Sequence, residues 1–186
     1  TGAVKLYLTD LFVIAVRAFA PPDAGDSATE LQAAIDVWVQ RLEAGYPCFL
    51  RCLGDYTFNS GLLVSFTSPV SVGGGIDMRG GRLTSNLSSS GVAFELRVRT
   101  EVRNLSFYDL HFYGSVNDTI TCLWDGGSKS AAPKQYLYNC QWYSPKVENG
   151  QAIAWKMTDN FFECQMYSPW FICKAKTSGT YACWLD

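Results

Sequence analysis

The stretch "YLYNCQWYSP", residues 136–145, returns 24 residues later as "NFFECQMYSP", residues 160–169, and a fainter copy, "LSFYDLHFYG", occupies residues 105–114. Aligning Leu110 with Cys140 and Cys164 gives spacings of 30 and 24 residues. The shared columns are Phe107/Leu137/Phe161, Asp109/Asn139/Glu163, Leu110/Cys140/Cys164, Phe112/Trp142/Met166 and Tyr113/Tyr143/Tyr167. Repeats of roughly 20 to 50 residues mark solenoids, in which each unit needs its neighbour to bury an apolar face.

Within each copy the apolar residues alternate with polar ones, as Leu105 and Phe107 and then Leu110 and Phe112 do, around a polar residue at the bend. That is the period of strands, not of a helix. A short repeat built of strands and turns predicts one turn of a parallel β-helix, with copies stacked at the ordinary strand spacing of about 4.8 Å. The competing reading is an antiparallel β-sandwich carrying chance echoes of "YSP".

Outside the copies, "PPDAGD" at 21–26 breaks the chain, and the residues after it carry the one helical pattern. Ser27 and Glu30 have capping-box spacing, and Leu31, Ala34, Ile35, Trp38, Val39 and Leu42 make a single apolar face ending near Gly45. Such a helix can cover the first turn of a solenoid, whose open strand edges otherwise invite aggregation. A helix packed on the side of a sandwich would use the same face. From Cys48 onward the text is strands and turns, including "VRTEVR", whose charged outer row reads as a solvated face. "VGGGIDMRGG" at 72–81 lacks the spacing of a phosphate loop and reads as tight corners.

The 186 residues are 48% hydrophobic, enough for one core, and the net charge of −2 disfavours nucleic acid as a partner. The apolar run "LFVIAV" at 11–16 is far shorter than the roughly 20 residues of a membrane span. Seven cysteines cannot all pair within one chain. Cys48 and Cys52, about 13 Å apart on an extended strand, are beyond disulfide reach, so the thiols are expected to be reduced packing residues. With one histidine, His111, and no C-x-x-C, neither a metal site nor a cofactor is expected.

"VRAFAPPDAGDSATELQAAIDVWVQRLEAG" resembles the entry segment of pectate-lyase-like right-handed β-helix proteins, through Phe19-Ala20, Gly25-Asp26, Thr29 and "LQAAID" at 31–36. "LGDYTF" at 53–58 and "VRNLSFYDLHFYG" at 102–114 are similar to later strands of that family. The resemblance implies an all-β fold, a right-handed single-stranded parallel β-helix with an N-terminal capping α-helix. Its expected parts are N-terminal strands or an attachment segment at 1–20, a turn and helix at 21–46, and coils at 47–186 that continue beyond this sequence.

Within the family, the chain is most similar to the N-terminal part of bacteriophage tailspikes and tail fibres. That implies a virion structural and receptor-binding protein, a homotrimer attached to tail or baseplate proteins and recognising host surface polysaccharide. The alternative is a secreted polysaccharide lyase or glycoside hydrolase. Catalysis by a carboxylate pair would fall to Asp109 and Glu163, two coils apart in the expected column, with the catalytic residues otherwise outside this chain. The outward files Tyr108/Tyr138/Phe162 and Tyr113/Tyr143/Tyr167 are the candidates for carbohydrate binding or trimer contact.

Overall fold

The structure is a computed structural model that describes residues 12–23, 25–87, 92–114, 122–127, 136–150, 153–158, 161–173 and 181–185. The chain is mostly β, in four sheets, and every ladder in them is parallel. Sheet A stacks Val13–Ala15, Cys48–Arg51, Gly74–Asp77, Leu105–Tyr108, Gln141–Tyr143 and Gln165–Tyr167. Sheet B stacks Gly54–Phe58, Gly81–Ser85, His111–Gly114, Lys146–Gly150 and Trp170–Cys173. Sheet C holds Leu62–Phe66, Val92–Val98, Cys122–Gly127, Ile153–Thr158 and Tyr181–Leu185, and sheet D holds Glu101–Arg103, Tyr136–Tyr138 and Phe161–Phe162.

From Cys48 the chain visits A, B and C in cyclic order and passes through D, or near it at the isolated Val70–Val102 bridge, before returning to A. This order, with parallel pairing throughout, is compatible with a solenoid and excludes the antiparallel sandwich for the described residues. Along sheet A, Cys48 lies opposite Gly74, Gly74 opposite Leu105, Ser106 opposite Gln141, and Gln141 opposite Gln165. The circuits are therefore 26, 31, 35 and 24 residues long.

The spacing of 24 stands, but the expected spacing of 30 is corrected to 35. Leu137 pairs with Val102 rather than Phe107, and Trp142 pairs with Phe107 rather than Phe112. The reason is a local period of five. Leu105-Ser-Phe-Tyr-Asp109 and Leu110-His-Phe-Tyr-Gly114 follow one another with the same in–out alternation. Either pentad matches residues 140–144, and the structure uses the first.

Side chains of one sign fill the interior. Tyr56, Phe58, Phe66, Phe94, Phe107, Phe112, Trp142 and Trp155 are all at most 1% exposed. Phe107 stacks on Trp142, ring centroids 5.1 Å apart, so aromatic files run along the stack as well as across it. Cys140 is buried between Leu105 and Cys164 in an interior column, and Cys48, Cys52, Cys140, Cys164 and Cys183 are free thiols. Burial pushes the Cys52 thiol up to about 12, the behaviour of a packing residue rather than a nucleophile. Gly75 marks the tightest approach: a Cβ there would lie 1.6 Å from the Ser106 carbonyl oxygen, so the glycine run serves strand packing.

The helix, Ala28–Glu43, buries all six residues of the expected face. Its start differs from expectation, because Ser27 makes no side-chain cap and its hydroxyl is buried without a partner. Asp26 does the capping: its Oδ1 accepts the amides of Ala28 and of Asn59, 3.1 Å each, tying helix to sheet. The helix and its lead-in close the first circuit sheet by sheet. Val13–Ala15 pairs with Cys48–Arg51 in A, and the amides of Asp23 and Ser27 bond the Asp55 and Thr57 carbonyls in B.

In sheet C, the Gln32 amide accepts from the Leu63 N–H at 2.9 Å and donates to the Leu63 carbonyl at 2.7 Å, as a neighbouring strand would. The Glu43 carboxylate accepts from the amides of Thr67 and Ser68, and Trp38 Nε1 donates to the Cys48 carbonyl at 3.0 Å. Polar side chains of the helix thus satisfy edge groups that would otherwise cost about 1–3 kcal/mol each if buried unpaired. No helix among the described residues is long and apolar enough to cross a membrane.

Candidate functional site

Two corners bound each strand of sheet A in the later circuits, and left-handed residues make both. Asn104, Asn139 and Glu163 hold φ of 59°, 50° and 53° where sheet D turns into A. Asp109, Ser144 and Ser168 hold 48°, 49° and 49° where A turns into B. A non-glycine left-handed residue is uncommon, and Asn and Asp tolerate it best, which accounts for the polar bend residue in each copy.

The expected column Asp109/Asn139/Glu163 is therefore split between the two corners. At the first, Asn139 Nδ2 donates to Asn104 Oδ1 at 2.9 Å, and Asn104 Nδ2 to the Ser71 carbonyl at 3.2 Å, forming an amide ladder. Glu163 ends this ladder and accepts the Tyr138 hydroxyl, which pushes that phenol up. Asp109 stands at the other corner, two circuits earlier. From five residues of strand rise and two strand spacings, Asp109 and Glu163 are roughly 19 Å apart at the backbone, against the ~9.5 Å limit for a glycosidase pair. The structure does not bring Asp109 and Glu163 together.

The same shift of five residues rearranges the aromatic files. Tyr108, Tyr143 and Tyr167 form one ladder, with successive ring centroids 5.0 Å apart and planes within 7°. Arg79 lies 5.4 Å over the Tyr108 ring at the head of that file, beside Phe49. Tyr138 and Phe162 do share a column, but Arg103 precedes them, its guanidinium 4.8 Å over Tyr138. Tyr113 belongs to sheet B, opposite Glu148 and under Arg82. In the ladder each inner ring face meets another ring, so edges and hydroxyls face outward. Burial raises the Tyr143 phenol, helped by Tyr108 and Tyr167 on either side.

Beyond the second corner, the outer face of sheet B carries a charged row in register: Asp55, Arg82, His111, Lys146 and Trp170. His111 thus neighbours Arg82 and Lys146, not Gln141 and Gln165 as the sequence spacing predicts. A groove of about 410 Å³ runs between this row and the corner, lined by Asp55, Met78, Gly80, Gly81, Arg82, Asp109, His111, Ser144 and Lys146.

Its ions are tied together. Arg82 meets Asp55 at 2.9 Å, His111 Nε2 meets Glu148 Oε2 at 3.0 Å, and Lys146 meets Glu148 Oε1 at 3.1 Å. Partial burial alone would raise the Glu148 carboxyl, but hydrogen bonds from His111 and Lys146 outweigh it and hold the group below its usual range. Across the corner, Asp77 is buried and takes Arg79 through both oxygens, with Arg51 at 3.3 Å.

Asp109 is the one candidate that lies in the groove, and its carboxylate partner there is Asp55. Asp55, Arg82, His111, Ser144 and Lys146 carried no signal in the sequence, because they come from four separate circuits and only the register gathers them. No group of three or more potential metal ligands occurs among the described residues. Comparison with protein-family models, with curated proteins and with solved structures finds no match for this chain.

Proposed function

We propose that the chain is part of a right-handed parallel β-helix of the pectate-lyase-like kind, and that it serves as a virion structural and receptor-binding segment of a bacteriophage tailspike or tail fibre. The observation that carries this reading is the groove on the flank of the parallel stack, lined by carboxylate, guanidinium, imidazole, ammonium and hydroxyl groups. Such groups hydrogen-bond sugar hydroxyls in both directions; Asp55, Arg82, His111 and Lys146 stand on strands of sheet B, and Asp109 and Ser144 on the corner beside it, so their spacing is held by the register. The ligand is host surface polysaccharide.

The tyrosine ladder is assigned to contact between chains of a homotrimer rather than to a sugar platform. A platform needs an open ring face, whereas these faces stack on each other. Attachment to other tail or baseplate proteins and a place in the virion tail follow from the same reading.

A second reading is a secreted polysaccharide lyase or hydrolase. Two features favour it: Asp55 and Asp109 line one groove, and Glu148 orients His111 there. Sedimentation and polysaccharide assays separate the two. A trimer that adsorbs host polysaccharide without releasing reducing or unsaturated ends supports the receptor segment. A monomer that releases such ends overturns it in favour of the enzyme.

A further inference from the structure

We infer that the groove beside sheet B selects an uncharged, hydroxyl-rich sugar over anionic glycans, with Asp109 as the specificity-determining anchor; this rests on the glycan-binding reading above. The lining charges cancel, Asp55 and Asp109 against Arg82 and Lys146. More telling is how they are paired. Arg82 is engaged by Asp55, and both Lys146 and His111 are engaged by Glu148. A sugar carboxylate or sulfate would therefore have to break an existing ion pair to find a cation. It would also meet Asp109 at close range, and like charges repel.

Asp109 differs from the other ions of the groove. Its side chain accepts no hydrogen bond from any described residue, and its backbone N–H is already given to the Tyr143 carbonyl. Arg79, which lies within its electrostatic reach, is held through two hydrogen bonds by Asp77. The left-handed corner leaves the Asp109 side chain exposed, beside Ser144 of the next circuit in the lining of the groove. Two carboxylate oxygens with open lone pairs suit the two donors of a vicinal diol. The paired cations keep spare N–H groups for the sugar oxygens without offering a free charge. Gly80 leaves the floor open, since a Cβ there would meet nothing within 4 Å.

The test compares the intact protein with Asp109→Asn, a substitution the left-handed backbone accepts, by titration calorimetry against neutral gluco-, galacto- and manno-oligosaccharides and against oligogalacturonate and oligosialate. Neutral oligosaccharides should bind with affinity nearly independent of salt, and the anionic ones about tenfold more weakly or not at all. Asp109→Asn should weaken neutral binding about tenfold, the loss of a charge-assisted hydrogen bond, with the melting temperature unchanged. Equal or tighter binding of the anionic oligosaccharides overturns the inference, as does neutral binding indifferent to Asp109→Asn; both leave glycan recognition standing. Binding to neither class overturns the glycan-binding reading itself.

Discussion

The first circuit and the circuit 161–173 use the same interior chemistry with different results. At the first circuit, sheet edges meet Val13–Ala15, the Asp23–Ser27 backbone, Gln32 and Glu43, and Leu50, Tyr56, Phe58, Val64 and Phe66 are at most 2% exposed. In the circuit 161–173, the inward residues Phe161, Cys164, Met166 and Phe171 are only half-buried. Their counterparts one circuit earlier, Leu137, Cys140, Trp142 and Val147, are at most 1% exposed. The outward residues Phe162, Tyr167, Trp170 and Ile172 are 42–58% exposed. In a stack, burial belongs to the pair of neighbours rather than to the residue, so equal side chains stabilise unequally according to what lies on each side.

The largest expected effect tests that inequality directly. Trp38→Ala removes a fully buried indole that packs edge-on against Phe66 and donates to the Cys48 carbonyl, and should cost about 3–5 kcal/mol. Met166→Ala, half-buried in the circuit 161–173, should cost less than about 2 kcal/mol in this chain by the same rule scaled to its partial burial. Urea titrations of both variants decide the matter; equal losses would mean that the later circuit is as well covered as the first.

Next in size is Gln32→Ala, which unpairs the Leu63 amide and carbonyl together and should cost about 1–3 kcal/mol. Gln165→Ala is its counterpart in the circuit 161–173. Gln165 accepts a hydrogen bond from the exposed Tyr167, and its loss should barely move the urea midpoint. A negligible effect of Gln32→Ala would show that the helix closes the stack by apolar contact alone.

Acid should act on the second circuit through Asp77. Hydrogen bonds from Arg79, against the opposing effect of burial, hold the Asp77 carboxyl below its ordinary value. A folded-state value lower than the unfolded one contributes stability that is fully present above the unfolded value and is lost as pH falls through the folded one. Stability should therefore drop as pH falls below about 4, the unperturbed carboxylate range. Asp77→Asn should be less stable than the parent at pH 7, with the difference shrinking toward pH 2 in melting curves at stepped pH. A constant difference would remove Asp77 from the acid response.

The parallel stack and the helix were legible because both rest on patterns confined to one stretch of sequence. Residues 136–145 and 160–169 match letter for letter at their cysteine, glutamine, tyrosine, serine and proline, and the six apolar helix residues repeat at helical spacing. The register of residues 101–114 was not legible, since two adjacent pentads share one in–out pattern. The structure uses the first, pairing Leu105–Tyr108 with Gly74–Asp77 on one side and with Gln141–Tyr143 on the other, partners on which the local pattern is silent. The groove inherits that ambiguity. Asp55, Arg82, His111 and Lys146 lie 27 to 35 residues apart and become neighbours only when every circuit is in register. The capping box misled for another reason: Asp26, one residue before Ser27, reaches both the helix and Asn59, so the carboxylate displaces the hydroxyl.

The smallest expected effect bears on that register. If Tyr143 stacks between Tyr108 and Tyr167, then Tyr143→Ala removes two stacked contacts and Tyr167→Ala removes one, while Tyr108→Ala removes one stacked contact together with its contacts to Phe49 and Arg79. Tyr113→Ala removes none from the ladder, because Tyr113 stands on sheet B against Arg82 and Glu148. The melting temperature should fall more for Tyr143→Ala than for Tyr167→Ala, and the double variant Tyr108→Ala/Tyr143→Ala should lose less than the sum of its singles, since the two rings share a contact. Tyr113→Ala/Tyr143→Ala should be additive. The opposite pattern, with Tyr113 coupled to Tyr143 and Tyr108 independent of it, would restore the 30-residue spacing and move the groove with it. The same variants probe assembly: if the ladder lies between chains, Tyr143→Ala should also lower the mass observed by sedimentation, and Tyr113→Ala should leave it unchanged.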